Sequence, residues 1–176
     1  MRTISVRTRV ASFVVVVALL TQVLPALAAD QDHDNRPVEV TFTKWVVPPP
    51  APPPAPQPPF ALLAGVTGGD VVGTFVGEVL WGQTSFNGHV RGLEALYEVV
   101  AENEDRSFSA LIRGGQSSAG AGRLNGVILA GWRSGARVQV AFQRYPAGDP
   151  LCLDANASLT TACFVGTIHV GLAPRD

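Results

Sequence analysis

The clearest pattern in the chain is the alternation in VEVTFTKWVV, where Val38, Val40 and Phe42 share one side and Glu39, Thr41 and Thr43 the other. Successive side chains of a pleated strand point to opposite faces, so residues 38–47 are expected to form a half-buried first strand. Similar patterning predicts further strands near 70–80, 90–102, 107–113, 123–132, 136–145 and 162–172. LEALYEVV contains good helix formers. Its Leu93, Ala95, Tyr97, Val99 and Ala101 nevertheless alternate with Glu94, Leu96, Glu98, Val100 and Glu102, which favours a strand. Turn signals fall between these segments: Asn87-Gly88, Glu104-Asp105, Gly114-Gly115, Ser134-Gly135 and the run Pro146-Ala147-Gly148-Asp149-Pro150. No crossover helices alternate with the strands, which excludes an α/β fold. The expected class is all-β, an antiparallel β-barrel of about seven or eight strands, with a β-sandwich as the alternative. Gly73 and Gly77, inside a strand, favour the barrel because closure needs sharp bends.

The front of the chain is different. Arg2, Arg7 and Arg9 precede an apolar run from Val10 to Leu20, and Ala26-Leu27-Ala28 supplies a small-x-small site. This predicts a secretory signal peptide over 1–29. Thr21, Gln22 and Pro25 interrupt the run before it reaches the roughly 20 residues of a spanning helix, so no stable membrane span is expected after cleavage. Residues 30–37 read as a disordered amino terminus. PPPAPPPAPQPP, 48–59, holds nine of the 14 prolines and can form neither helix nor sheet. It is expected to be a loop or spacer, with 60–176 completing a single barrel domain.

Composition sharpens the compartment. The precursor has 13 basic and 14 acidic residues; loss of three arginines with the signal leaves 10 against 14, a charge of −4. Lys44 is the one lysine and the arginines are scattered, so no footprint for phosphate exists and no nucleic-acid partner is expected. Export to an extracellular or periplasmic space makes Cys152 and Cys163, the only two cysteines, a disulfide pair. His33, His89 and His169 have no paired spacing, so neither a metal nor a cofactor is expected.

Chemical motifs are sparse. The run from Gly114 to Gly126 has Asn125 where a dinucleotide fingerprint needs glycine, and reads as a turn between strands. No G-x-S-x-G elbow occurs, and Phe164, Ile168 and Val170 take the core face of the last strand, leaving His169 on the other. Glu78 shares parity with Val72, Thr74, Val76 and Leu80, and Arg113 with Ser109 and Leu111. Were those faces internal, Glu78 and Arg113 would pair inside the barrel near Tyr97 or Trp132 and orient a polar group of a ligand. The competing reading puts Glu78, Glu94 and Glu98 on a solvated outer face, paired across strands with Arg123, Arg133 or Arg137. The candidate ligand-binding residues are thus Glu78, Tyr97, Arg113 and Trp132, and no catalytic residue is assigned.

GGDVVGTFVGEVL, SFSALIRGG, LNGVILAGWRSGARVQVAF and CFVGTIHV, within Val66 to Val170, resemble an uncharacterised group of small exported bacterial proteins. Their glycine-punctuated strands also resemble the barrels of allene oxide cyclase and dirigent proteins. The resemblance implies an antiparallel barrel of about eight strands that often self-associates, giving a homo-oligomer, and carries over no catalytic motif. The expected function is that of an exported, non-enzymatic barrel binding a small apolar ligand or a surface partner. The alternatives are a structural, envelope-associated protein with a filled barrel, and a cyclase- or isomerase-like enzyme using Glu78, Arg113 and Tyr97.

Overall fold

Eight strands close into one antiparallel barrel in strict chain order: β1 (Val38–Val47), β2 (Ala61–Gly69), β3 (Gly73–Thr84), β4 (Val90–Ala101), β5 (Phe108–Gln116), β6 (Ala121–Gly131), β7 (Arg137–Tyr145) and β8 (Cys163–Val170). β1 closes the ring by pairing with both β2 and β8. The barrel is therefore the architecture and the sandwich is excluded. The structure is a computed structural model that describes residues 36–48, 60–84, 90–153 and 162–173. The expected signal segment, nearly all of the proline run, His33, His89 and the Asn87-Gly88 turn lie outside the described residues. All eight strands belong to the compact unit Pro37–Asp176.

An eight-strand barrel is only just wide enough for side chains to fill it, and here glycine decides which ones fit. Inward positions pair large residues with small ones across neighbouring strands: Gly65 with Phe75, Gly77 with Tyr97, Tyr97 with Ala110, Ile112 with Gly126, Gly122 with Phe142, and Phe142 with Gly166. A Cβ on Gly126 would run into the Leu111 carbonyl and the Ile112 backbone, and one on Gly122 into the Phe142 ring. The strand glycines are thus the vacant half of the core, a more specific role than the bending expected for Gly73 and Gly77.

Two differences from the sequence expectations have physical causes. Residues 61–69 form a separate strand, β2, and Asp70 lies in the turn after it. Its inward positions are Leu63, Gly65 and Thr67, so one large apolar residue is all its alternation shows. Gly114 and Gly115 lie within β5, and the turn sits at 117–120, where Gly120 has φ +90°. The Ser117 hydroxyl accepts from Ala121 N at 3.1 Å and closes that turn.

The two ends of the barrel differ. At one end Trp132 packs against the core between Arg106, 5.6 Å from its ring centre, and Arg133, 4.5 Å away. Arg106 also donates to Asp70 O at 3.2 Å and Arg133 to Gly171 O at 3.1 Å, tying neighbouring chain segments over the end. At the other end, the rim, a short helix α1 (Pro150–Leu153) is fastened to the start of β8 by the Cys152–Cys163 disulfide.

Gly126→Ala is expected to cost about 1–3 kcal/mol through overpacking, read from urea unfolding midpoints. Gly82→Ala, where the nearest atoms to a new Cβ are 3.9 Å away, should change stability by no more than about 0.5 kcal/mol. Equal effects at the two positions would refute the account of the glycines as core space.

Candidate functional site

Alternation carries β1 inward at Val38, Val40, Phe42 and Lys44. The fourth of these is the only lysine in the chain. Lys44 lies opposite Gly65 on β2 and Phe164 on β8, and is 2 % exposed. Its Nζ is hydrogen-bonded to the hydroxyl of Tyr97, on β4 across the barrel. The rings of Tyr97, Phe42, Phe142 and Phe75 surround Nζ at 4.0, 4.8, 4.9 and 5.3 Å. Among the described residues no acidic side chain is buried.

The electrostatic consequence follows from comparing magnitudes. Taking an ammonium out of water costs several kcal/mol. A ring face returns about 0.5–2 kcal/mol, and with one of three N–H groups facing the Tyr97 hydroxyl, two remain for four rings. Desolvation prevails and pushes the Lys44 amine well below its ordinary value. Burial raises the Tyr97 phenol, keeping its proton on.

Above this pair, toward the rim, lies a cavity of about 110 Å³. Lys44, Tyr97, Leu63, Ala95 and Phe142 are its buried parts, and Val79 and Leu93 are half-exposed walls nearer the entrance. Gln116 is its one other polar residue. A wider depression of about 900 Å³ adjoins the same rim, lined by Ser117, Arg123, Ala141 and Gln143 among others. None of its lining residues is a buried charged group, so the smaller cavity is the better candidate site despite its size.

The sequence-derived candidates separate. Tyr97 lies inside, as its alternation implied. Glu78 and Arg113 do not: the inward residues of β3 are Phe75 and Gly77, and those of β5 are Phe108, Ala110 and Ile112. Both charged residues therefore lie on the outer wall, and the buried pair anticipated between them is corrected to an exposed one. Arg113 Nε donates to Glu94 at 2.7 Å, directly across the β4–β5 ladder. Glu94 and Glu98 do lie on the outer wall, but the arginine paired with Glu94 is Arg113 rather than Arg123, Arg133 or Arg137, and Arg133 is buried at the capped end. Trp132 belongs to the capped end, away from Tyr97. His169 is exposed on the outer wall, with Glu39 3.4 Å away. Lys44 went unselected as a site residue, although its phase with Val38, Val40 and Phe42 was visible.

Among the described residues no group of His, Cys, Asp or Glu could hold a metal ion. No protein-family model, curated protein or solved structure matches the chain.

Stability should depend on pH through this pair. Among the described residues, Tyr97 is the titratable side chain recorded against Nζ; the other neighbours are Phe42, Phe75, Phe142, Phe164 and Gly65. Between the lowered value of Lys44 and 10.5, the unfolded chain binds the extra proton. Stability therefore rises with pH across that window, by at most about 1.4 kcal/mol per pH unit. Above pH 10.0 the Tyr97 phenol ionises only on unfolding, and its contribution reverses the trend. Lys44→Met should flatten the rising limb and stabilise the neutral-pH protein, measured by urea melts across the pH range. Parallel profiles for the two proteins would contradict this.

Proposed function

We propose that the chain is an exported binding protein for a small, largely apolar molecule with one oxygen-bearing head, taken up through the barrel rim. The observation that carries this reading is Lys44: a lone buried amine at the floor of an apolar cavity, in a barrel otherwise packed with hydrocarbon. A buried charge is weak evidence for stability, since well-packed apolar replacements are often neutral or stabilising. A lysine at this position suits recognition better than support. Its N–H groups and the Tyr97 hydroxyl offer donors to a ligand oxygen, while Leu63, Ala95, Val79 and Leu93 accept the apolar part.

Export is supported by the signal pattern of 1–29 and is compatible with the Cys152–Cys163 bond. The outer wall, with Glu98, Arg113, Arg123 and His169 exposed, suits water rather than the apolar outer band of a membrane barrel. Self-association also has a basis: Leu62, Val66, Val72, Val76 and Val100 are 39–51 % exposed on the outer wall of β2–β4 and the adjoining turn, an apolar concentration of the kind that marks contact surfaces.

Titration with hexan-1-ol, followed by amide and methyl NMR, should give saturable shifts concentrated at Leu63, Val79, Leu93, Ala95 and Tyr97. Val79→Phe, at the half-buried wall, should abolish them while leaving the remaining spectrum folded. Shifts confined to the outer wall, or none that saturate, would refute the reading.

A further inference from the structure

We infer that Lys44 captures carbonyl compounds: its amine, at the floor of the rim cavity and hydrogen-bonded to Tyr97, forms an imine with a small apolar aldehyde. This rests on the ligand-binding reading above and narrows it to one class of head group.

The geometry meets the requirements of amine addition. Nucleophilic lysine needs a neutral nitrogen, which desolvation in an apolar site and the absence of a carboxylate partner both favour. The described interior provides both, with four aromatic rings about Nζ and no buried acid. The cavity volume of about 110 Å³ is smaller than the roughly 150 Å³ apolar cavity that accommodates benzene. It therefore holds fewer carbons than benzene's six, about four by simple proportion, and the rest of a longer tail would leave past Val79 and Leu93.

The step balances without an external reagent. Nζ bonds to the carbonyl carbon, and the former carbonyl oxygen becomes the hydroxyl of a carbinolamine. The C–O bond then breaks. Oxygen departs as water, taking its two hydrogens from the amine, and a C=N bond remains. Tyr97, against Nζ, is placed to give its proton to the leaving hydroxyl and to recover one from nitrogen. The apolar walls retard the reverse attack by water.

A single lysine makes the test direct. The full chain is incubated with hexanal and cyanoborohydride at neutral pH, and the adduct is located by intact mass and peptide mapping, with the amino terminus as the only other amine. Lys44 should gain one hexyl group at least about tenfold faster than Nα-acetyl-lysine under the same conditions, the gain in neutral amine for each unit of lowered pKa. Hexan-1-ol should compete with this labelling. Tyr97→Phe should slow it about 100-fold at saturating hexanal, where the loss of its donor to the ligand oxygen no longer limits the rate. Should that variant not fold, the competition arm on the unaltered chain still decides. Labelling no faster than the free amine, or indifferent to hexan-1-ol, overturns the inference. If hexan-1-ol still shifts the cavity resonances, the ligand-binding reading survives that failure; if it does not, both fall.

Discussion

Closure of eight strands around an interior only just wide enough for side chains to fill it is the constraint on which the rest depends. Phe42, Phe75, Tyr97, Phe108 and Phe142 each face a glycine across at least one ladder. Phe142 lies between Gly122 and Gly166, and Tyr97 has Gly77 on one side and Ala110 on the other. The same requirement makes room for Lys44: its cross-strand neighbour on β2 is Gly65, where a Cβ would press on the Thr43 carbonyl and on Lys44 itself. The site is a product of the packing rule and not an interruption of it.

Packing is uneven along the barrel axis. From the capped end up to the Phe75–Tyr97 contact, ring centres 4.7 Å apart, the interior is occupied by side chains of the core cluster. Beyond the Lys44–Tyr97 pair the walls are lined by Ala95 and Leu63, with half-exposed Val79 and Leu93, and space opens. The lower level is occupied by the core cluster, and the space at the upper level is what the proposed ligand-binding reading rests on.

Fold class was legible because period-two alternation is strong wherever inward positions are large, as in β1 and β4. It failed in β2, whose inward set of Leu63, Gly65 and Thr67 carries little hydrophobic contrast. Charge proved a poor guide to the interior for the same reason. Val72 just before β3 and Val76 within it are exposed near Glu78, while the inward Gly77 adds nothing to the apolar signal. Parity by hydrophobicity alone therefore leaves both faces open for Glu78. Lys44 presented the opposite case: its phase with Val38, Val40 and Phe42 was plain, but lysine is so seldom buried that residue type outweighed position. The partnership with Tyr97 needed the closed barrel, since the two are 53 residues apart and on strands that share no ladder.

The choice of lysine at this one position sharpens the chemical reading. Elsewhere the chain meets its need for cations with arginine, which keeps its charge in proteins. At the capped end, Arg106 and Arg133 satisfy that charge with backbone carbonyls and the face of Trp132. An arginine at 44 would carry a fixed charge and five donors into a space ringed by Phe42, Phe75 and Phe142, with the Tyr97 hydroxyl in hydrogen-bond contact and no buried acid among the described residues. A methionine would fill the space and remove the chemistry. Lysine alone offers both an aliphatic stem that packs with the core and a terminal group able to give up its proton, bind an oxygen or attack a carbonyl. Where the barrel needs only structure it uses hydrocarbon or arginine; its single lysine lies at the level where packing gives way to space.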